Sequence, residues 1–190
     1  MTCRRRYGVP VPTPPPDDPL VVLVNEHDVE IGRAGKLAAH RPPAPLHRAV
    51  SVVLHDEAGR ILLQRRSPAK YHFAGLWANT ACGHPLPGET VEAAARRRLA
   101  AELGTAAGPL TDVGIFVYEA TDPTSGLMEH ELDHVLVGPV SGPVRPVPDE
   151  VAEIRWAGPA ELAELVRTAP ETVAPWFPLL LPVLGMPPAR

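Results

Sequence analysis

The residues richest in chemistry lie at 77–105, in WANTACGHPLPGETVEAAARRRLAAELGT, which reads as a phosphate-handling loop running into a helix. Such loops bring clustered acids to hold metal ions, and most of those acids are missing here. Arg98 and Glu102 stand four residues apart, so a helix sets a cation and a carboxylate on one face. By themselves they would form a surface ion pair of little energetic weight. A guanidinium also pairs with phosphate oxygens in bidentate fashion, which gives the pair a second use. Upstream, LLQRRSPAK places Arg65, Arg66 and Lys70 after a strand. Alternation sends Arg65 and Arg66 to opposite faces and leaves one of them to meet a ligand. Together these groups could grip a phosphorylated small molecule.

Several elements must position them. LVVLVNE is a short β-branched run and reads as a strand; residues 49–54 and 61–64 read as two more, joined in a hairpin by HDEAGR. No Gly or Pro interrupts 90–103 and Gly104 follows as a stop, so this span is predicted as a helix. DVGIFVYEA and HELDHVLVGPV are strands around a TDPTSG loop, and EIRWAG is another. GPAELAELVRTA has Pro near a helix start and apolar residues at helical spacing, whereas VAPWFPLLLPVLG is cut by prolines, so any helix there is short or kinked. The expected fold class is α+β, a mixed β-sheet sandwich flanked by helices.

With 190 residues the chain fits one domain, expected over 20–185, after a Pro-rich tail at 1–19 that reads as disordered. A net charge of −4 gives no basic field for nucleic acid, and no apolar run reaches the length of a membrane span. Cys3 and Cys82 are too few for a disulfide framework, and no apolar segment follows the N-terminal arginines as in a signal peptide. A cytoplasmic protein with reduced thiols and a small-molecule partner is expected, as a monomer or a homodimer.

The spacing from Gly83 through Glu89 to Arg97 and Gly104 resembles the Nudix box, Gly-x5-Glu-x7-Arg-Glu-apolar-x-Glu-Glu-x-Gly. Two of the box's three metal-holding acids are replaced, by Arg98 and Ala101, and only Glu102 remains. KLAAH, LHRAVSV, LLQRRSPAKYHFAGLWANTACGHPLPGE, RRLAAELG, YEATDPTSGLMEHEL and APWF occur in that order over 22–176. They resemble one family closely, type 1 isopentenyl-diphosphate Δ-isomerase. The resemblance implies a metal site of His40, His47, His84, Glu129 and Glu131. It also implies a Mg²⁺ ion at the substrate's diphosphate, held by Glu102 and the backbone carbonyl of Cys82. Lys36, Arg66, Lys70 and Arg98 match the diphosphate-binding cations. Cys82 and Glu131 match the two acid/base groups, Tyr118 the phenol beside that glutamate, and Trp176 the aromatic wall over the hydrocarbon.

The implied reaction asks for such groups. Shifting a double bond across a branched carbon needs a proton added at one end and another removed two carbons away, so two acid/base residues must flank the substrate. A thiol of ordinary pKa near 8.5 is mostly protonated at neutral pH, and a carboxylate can be tuned by a metal and by a phenol. The cation formed between the two steps is stabilised by an indole face, from Trp176 or Trp77, and the family match favours Trp176. Residues two apart in an extended segment share a face, so Glu129 and Glu131 can reach one ion together. Three imidazoles and two carboxylates leave one octahedral place open, which suits Mn²⁺, Mg²⁺ or Zn²⁺. His27, His55, His72, His130 and His134 are read as ordinary surface or core histidines, and Trp156 as core. A Nudix hydrolase, an isomerase relative with another prenyl substrate, and a non-catalytic metal-stabilised module are the alternatives.

Overall fold

The computed structural model describes residues 18–186, so the Pro-rich tail expected at 1–19 lies almost wholly outside the described residues. The chain begins with β1 (Leu20–Val24), β2 (Glu30–Gly35), the short helix α1 (Lys36–Ala39), β3 (His47–His55) and β4 (Ile61–Arg66). The short strands β5 (Trp77–Ala78) and β6 (Ala81–Gly83) lead into helix α2 (Val91–Leu103). After β7 (Ala106–Ala107), a long hairpin forms from β8 (Thr111–Thr121) and β9 (Met128–Ser141). β10 (Val151–Ala157), α3 (Pro159–Thr168) and α4 (Phe177–Val183) complete it. Among the described residues no helix is long and apolar enough to cross a membrane.

Local sequence sets the ends of α2. Thr90 Oγ1 accepts from the amide of Ala93 at 3.1 Å, satisfying one of the free donors of the first turn. Gly104 ends the helix in the left-handed region at φ 53°, which a residue with a Cβ adopts at a cost. Ala94, Ala95, Leu99 and Leu103 form its buried face, packed on Val50, Val52 and Leu54 of β3. The opposite face of β3 presents Val53 to a second core, with Leu162 and Val166 of α3 and Phe177, Leu180 and Leu181 of α4. The sheet is thus covered on both sides, as the predicted sandwich requires.

β3 is the hub. It pairs in parallel with β9 and antiparallel with β6, whereas it meets β4 at the single rung His55↔Ile61. The hairpin expected for β3 and β4 therefore opens immediately beyond its turn, because β3's hydrogen bonds go to β6 and β9 and β4's go to β5 and β10. Register sets Glu131 opposite His47, Cys82 opposite Ser51, and Tyr118 of β8 opposite Glu131. Alternate residues of one strand share a face, so Glu129, Glu131, Asp133, Val135 and Val137 of β9 run from polar to apolar along one side. The apolar half lies in the second core; the polar half forms one end of a cleft.

Candidate active site

The cleft, about 280 Å³, is lined by Lys36, Arg66, Lys70, Cys82, His84, Arg98, Glu102, Tyr118, Glu129, Glu131 and Trp176. Its size suits one small ligand. Every residue that the sequence assigned to substrate or acid/base chemistry therefore faces one space. His40 and His47 stand behind it, fully buried.

Two backbone carbonyls orient those two rings. His40 Nδ1 lies 2.7 Å from Lys36 O, and His47 Nδ1 lies 2.9 Å from Pro45 O. A nitrogen facing a carbonyl carries the proton, so each Nε2 presents a lone pair. Both Nε2 atoms are buried without a hydrogen-bond partner among the described residues, at 3.8 and 3.5 Å from Glu131 Oε1. His84 Nε2 lies 2.8 Å from the same oxygen. Burial pushes His40 down to about 4 and His84 down to about 3, so both imidazoles are neutral at physiological pH. Orphaned buried lone pairs converging on a carboxylate are what a divalent ion needs, and the donor set fits one.

Glu129 stands beside this cluster. The donor atoms of His40, His47, His84 and Glu131 lie within 4.8 Å of one another, whereas Glu129 forms an overlapping group with His40 and His72. His72, read as an ordinary surface or core histidine, is buried with Nε2 at 2.8 Å from Glu129 Oε1. The Tyr118 hydroxyl reaches Glu129 Oε2 at 2.9 Å and Glu131 Oε2 at 2.8 Å. Burial and the neighbouring Glu131 hold Glu129 well above the usual carboxylate range. For Glu131 the surrounding imidazoles outweigh burial and hold it below that range. His130 and His134 point elsewhere, as alternation requires, to Ala44 O and to Asp28 and Asp112.

Cys82 is half-buried on β6, with Sγ 3.2 Å from Asn79 Oδ1 and 3.7 Å from Ser51 Oγ. Burial, with Asp133 and Glu102 nearby, pushes the thiol up, so it keeps its proton. Asn79 Nδ2 is satisfied by the carbonyls of Val52 and Ala81, which turns Oδ1 toward the thiol and toward Trp176 Nε1 at 3.0 Å. Trp176 is buried, with Phe73 and Tyr118 at ring separations of 5.7 and 6.2 Å. Trp77 belongs to the second core with Arg155 4.7 Å over its ring, so of the two indoles considered only Trp176 lines the cleft. Trp156 packs on the first core, as read.

At the outer end, Arg98 lies across Gly83, where a Cβ would come within 2.8 Å of its side chain. Its Nε reaches Cys82 O at 3.3 Å while Nη2 contacts Glu102. A cationic group thus already spans the two oxygens expected to hold Mg²⁺. Lys70 Nζ contacts Glu150 and lies 3.7 Å from Glu102, and Arg98 lies 3.5 Å from Glu150. Gln64 Nε2 donates to Glu102 at 2.8 Å. Lys36 is pushed down to about 8 by burial and then by the charges of Arg98, Lys70 and Arg66. Arg66 is buried and Arg65 exposed, as alternation predicted. Asn79, Ser51, Asp133 and Glu150 were not anticipated; only Asn79, inside the stretch around Cys82, had a sequence neighbour to flag it.

Residues 45–180 match the NUDIX domain family model. The isopentenyl-diphosphate Delta-isomerase of Nocardia farcinica is 51% identical over 163 residues, covering 86% of this chain and 93% of that protein. The protein of the same name from Streptomyces coelicolor is 50% identical over 162 residues, covering 85% and 81%. A solved structure from Deinococcus radiodurans shares the fold with a TM-score of 0.63 at 22% identity, covering 79% of this chain and 90% of that one. Built on a NUDIX domain and matching these relatives over most of its length, the chain belongs to the isopentenyl-diphosphate Delta-isomerase family.

Proposed function

We infer that this enzyme interconverts isopentenyl diphosphate and dimethylallyl diphosphate, and that Cys82 and the Glu131–Tyr118 pair carry the two proton transfers. The observation behind this reading is the meeting, in one cleft, of a protonated thiol, a carboxylate bonded to a phenol, an indole and four cations. Protonation of the terminal methylene carbon takes the alkene's electron pair and leaves a tertiary cation. That pair stays in the new C–H bond; loss of a proton from the methylene beside the diphosphate-bearing carbon then leaves its C–H bonding pair to form the new double bond and quench the cation. One group donates and the other accepts, so the enzyme ends with a proton exchanged between them and re-equilibrates with water.

Trp176 gives the cation an aromatic face, fixed by Asn79 and packed with Phe73 and Tyr118. Lys36, Arg66, Lys70 and Arg98 hold the diphosphate as a handle, and the loss of two box carboxylates to Arg98 and Ala101 removes the means of attacking it. His40, His47, His84 and Glu131, with Glu129 at their edge, would hold Mn²⁺ or Zn²⁺. Glu102 and the Cys82 carbonyl would hold Mg²⁺ against the diphosphate. Bound there, the ions supply positive charge that steadies Glu131 and neutralises the diphosphate.

The test is to incubate the enzyme with isopentenyl diphosphate, Mg²⁺ and Mn²⁺ in heavy water and record proton and phosphorus NMR. Deuterated dimethylallyl diphosphate with the diphosphate intact is expected. Phosphate release with the alkene unmoved would overturn the reading in favour of hydrolysis.

A further inference from the structure

His72 enters the cleft from the loop between β4 and β5, at 6% exposure. Its two ring nitrogens are treated unequally. Nε2 meets Glu129 Oε1 at 2.8 Å, and Nδ1 has no hydrogen-bond partner among the described residues. A histidine retained for packing usually satisfies both nitrogens or turns one to water. Here one is left bare and the other is given to a single carboxylate oxygen. A buried orphan N–H is rarer than a buried lone pair, so the proton belongs on Nε2, which donates it to Glu129.

The loop is braced for this contact. Arg66 donates Nε to Phe73 O at 2.9 Å and Nη2 to His72 O at 3.0 Å, fixing the backbone on either side of the imidazole's attachment. The Tyr118 hydroxyl occupies the other oxygen of Glu129. Glu129 is therefore gripped at both oxygens. A carboxylate oxygen that accepts one hydrogen bond keeps a second lone pair, so Oε1 can face His72 and a cation together.

Resting on the reading that a divalent ion occupies the His40, His47, His84 and Glu131 cluster, we propose that His72 is a positioning residue. By donating Nε2–H it holds Glu129 at the edge of that metal centre, and it is not itself a ligand. His72 shares a group with His40 and Glu129 and its Nε2 is engaged by Glu129, but its donor atom does not join the His40, His47, His84 and Glu131 group within 4.8 Å. Ligands opposite each other on an ion with bonds of about 2.1 Å must be closer than that. Partners that orient a ligand from outside typically carry roughly 10–100-fold in metal affinity.

The full chain loaded with Mn²⁺ is challenged with graded chelator, and retained Mn²⁺ is read by electron paramagnetic resonance for the parent and for H72A, H72Q and H72N. H72A should hold Mn²⁺ about 10–100-fold more weakly. H72Q, whose amide nitrogen can stand where Nε2 stands, should recover most of the loss; H72N, one methylene shorter, should not. Circular dichroism of each variant reports folding. Unchanged affinity in H72A would overturn the proposal, and so would equal losses in all three variants, which mean packing alone. Electron spin-echo detection of four imidazoles on Mn²⁺ in the parent would overturn it too, by making His72 a ligand. A parent that retains no Mn²⁺ would overturn the underlying metal reading instead.

Discussion

At the inner end of the cleft, His40 Nε2 and His47 Nε2 are buried without a hydrogen-bond partner among the described residues. At the outer end, Lys70, Arg98, Glu102 and Glu150 each face opposite charge at 3.7 Å or less. Both ends are polar, but they handle polarity in opposite ways. Buried lone pairs without partners are costly until a cation takes them, so affinity for an ion is stored in the fold itself. Glu102 is buried, but Lys70, Arg98 and Glu150 keep part of their surface in water and each has more than one partner. They can therefore exchange one for another, which suits an anion that must arrive and leave with each turnover. The inner end is therefore expected to respond to metal and pH, and the outer end to substrate concentration and salt.

The largest expected effect separates chemistry from both kinds of binding. Cys82→Ala should lower kcat by about 10²–10⁴-fold with little change in KM, measured by steady-state turnover of isopentenyl diphosphate. Unchanged turnover would remove the thiol from the reaction.

The inner end is tested by acid. His40 falls to about 4 and His84 to about 3 on folding, from about 6.5 in the unfolded chain. Between those values the unfolded state binds more protons at these two residues, so their contribution to the stability of the metal-free protein rises with pH there, while Glu129 and Asp133, held above their usual range, contribute with the opposite sign. Going down from pH 6.5 the histidines' contribution should fall, by up to about 1.4 kcal/mol per pH unit for each. Bound ion at 100 times its Kd should add about 2.7 kcal/mol at neutral pH. Chelator-treated protein followed by thermal circular dichroism checks both: from pH 7 to 4.5 the parent should lose more stability than His84→Gln, and equal pH dependence in the two would contradict the stored-affinity account.

Substitution at the outer end should move KM. Arg98→Ala removes a charged donor and should raise KM about 10–100-fold, and Arg98→Lys should recover only part because the fork is lost. Glu150→Gln should have the smallest effect and the opposite sign: freeing Lys70 and Arg98 should lower KM, and the inhibition constant of inorganic diphosphate, by roughly two- to fivefold. A rise in KM would mean that Glu150 aims these cations rather than competing for them.

Much of this was legible where local rules act alone. Thr90 and Gly104 bracket α2 because a capping hydroxyl and a left-handed glycine depend on their own neighbours. Alternation in β9 foretold the shared face of Glu129 and Glu131 and the exclusion of His130 and His134. β2 and α1 carried no such signal, since EIGRAGKLAA has neither a clean alternation nor room for a helical period. The site residues that escaped, His72, Asp133 and Glu150, owe their roles to partners 57, 82 and 80 residues away. Pairings of that kind are made by tertiary register, which spacing along the chain does not report.

That register also says which changes in length the chain can absorb. β9 is aligned to β3 and β8 rung by rung, and the turn between β8 and β9, residues 122–127, is organised by buried Asp122, which accepts from Thr124, Ser125 and the amide of Phe73. Losing one residue from the β9 side would leave a strand that still hydrogen-bonds to both neighbours. It would also turn Glu129, Glu131 and Asp133 outward and bring His130, Leu132 and His134 inward. Insertions at the exposed tip of the turn, near Pro123 and Thr124, should be tolerated far better than a single deletion a few residues later, which should abolish activity.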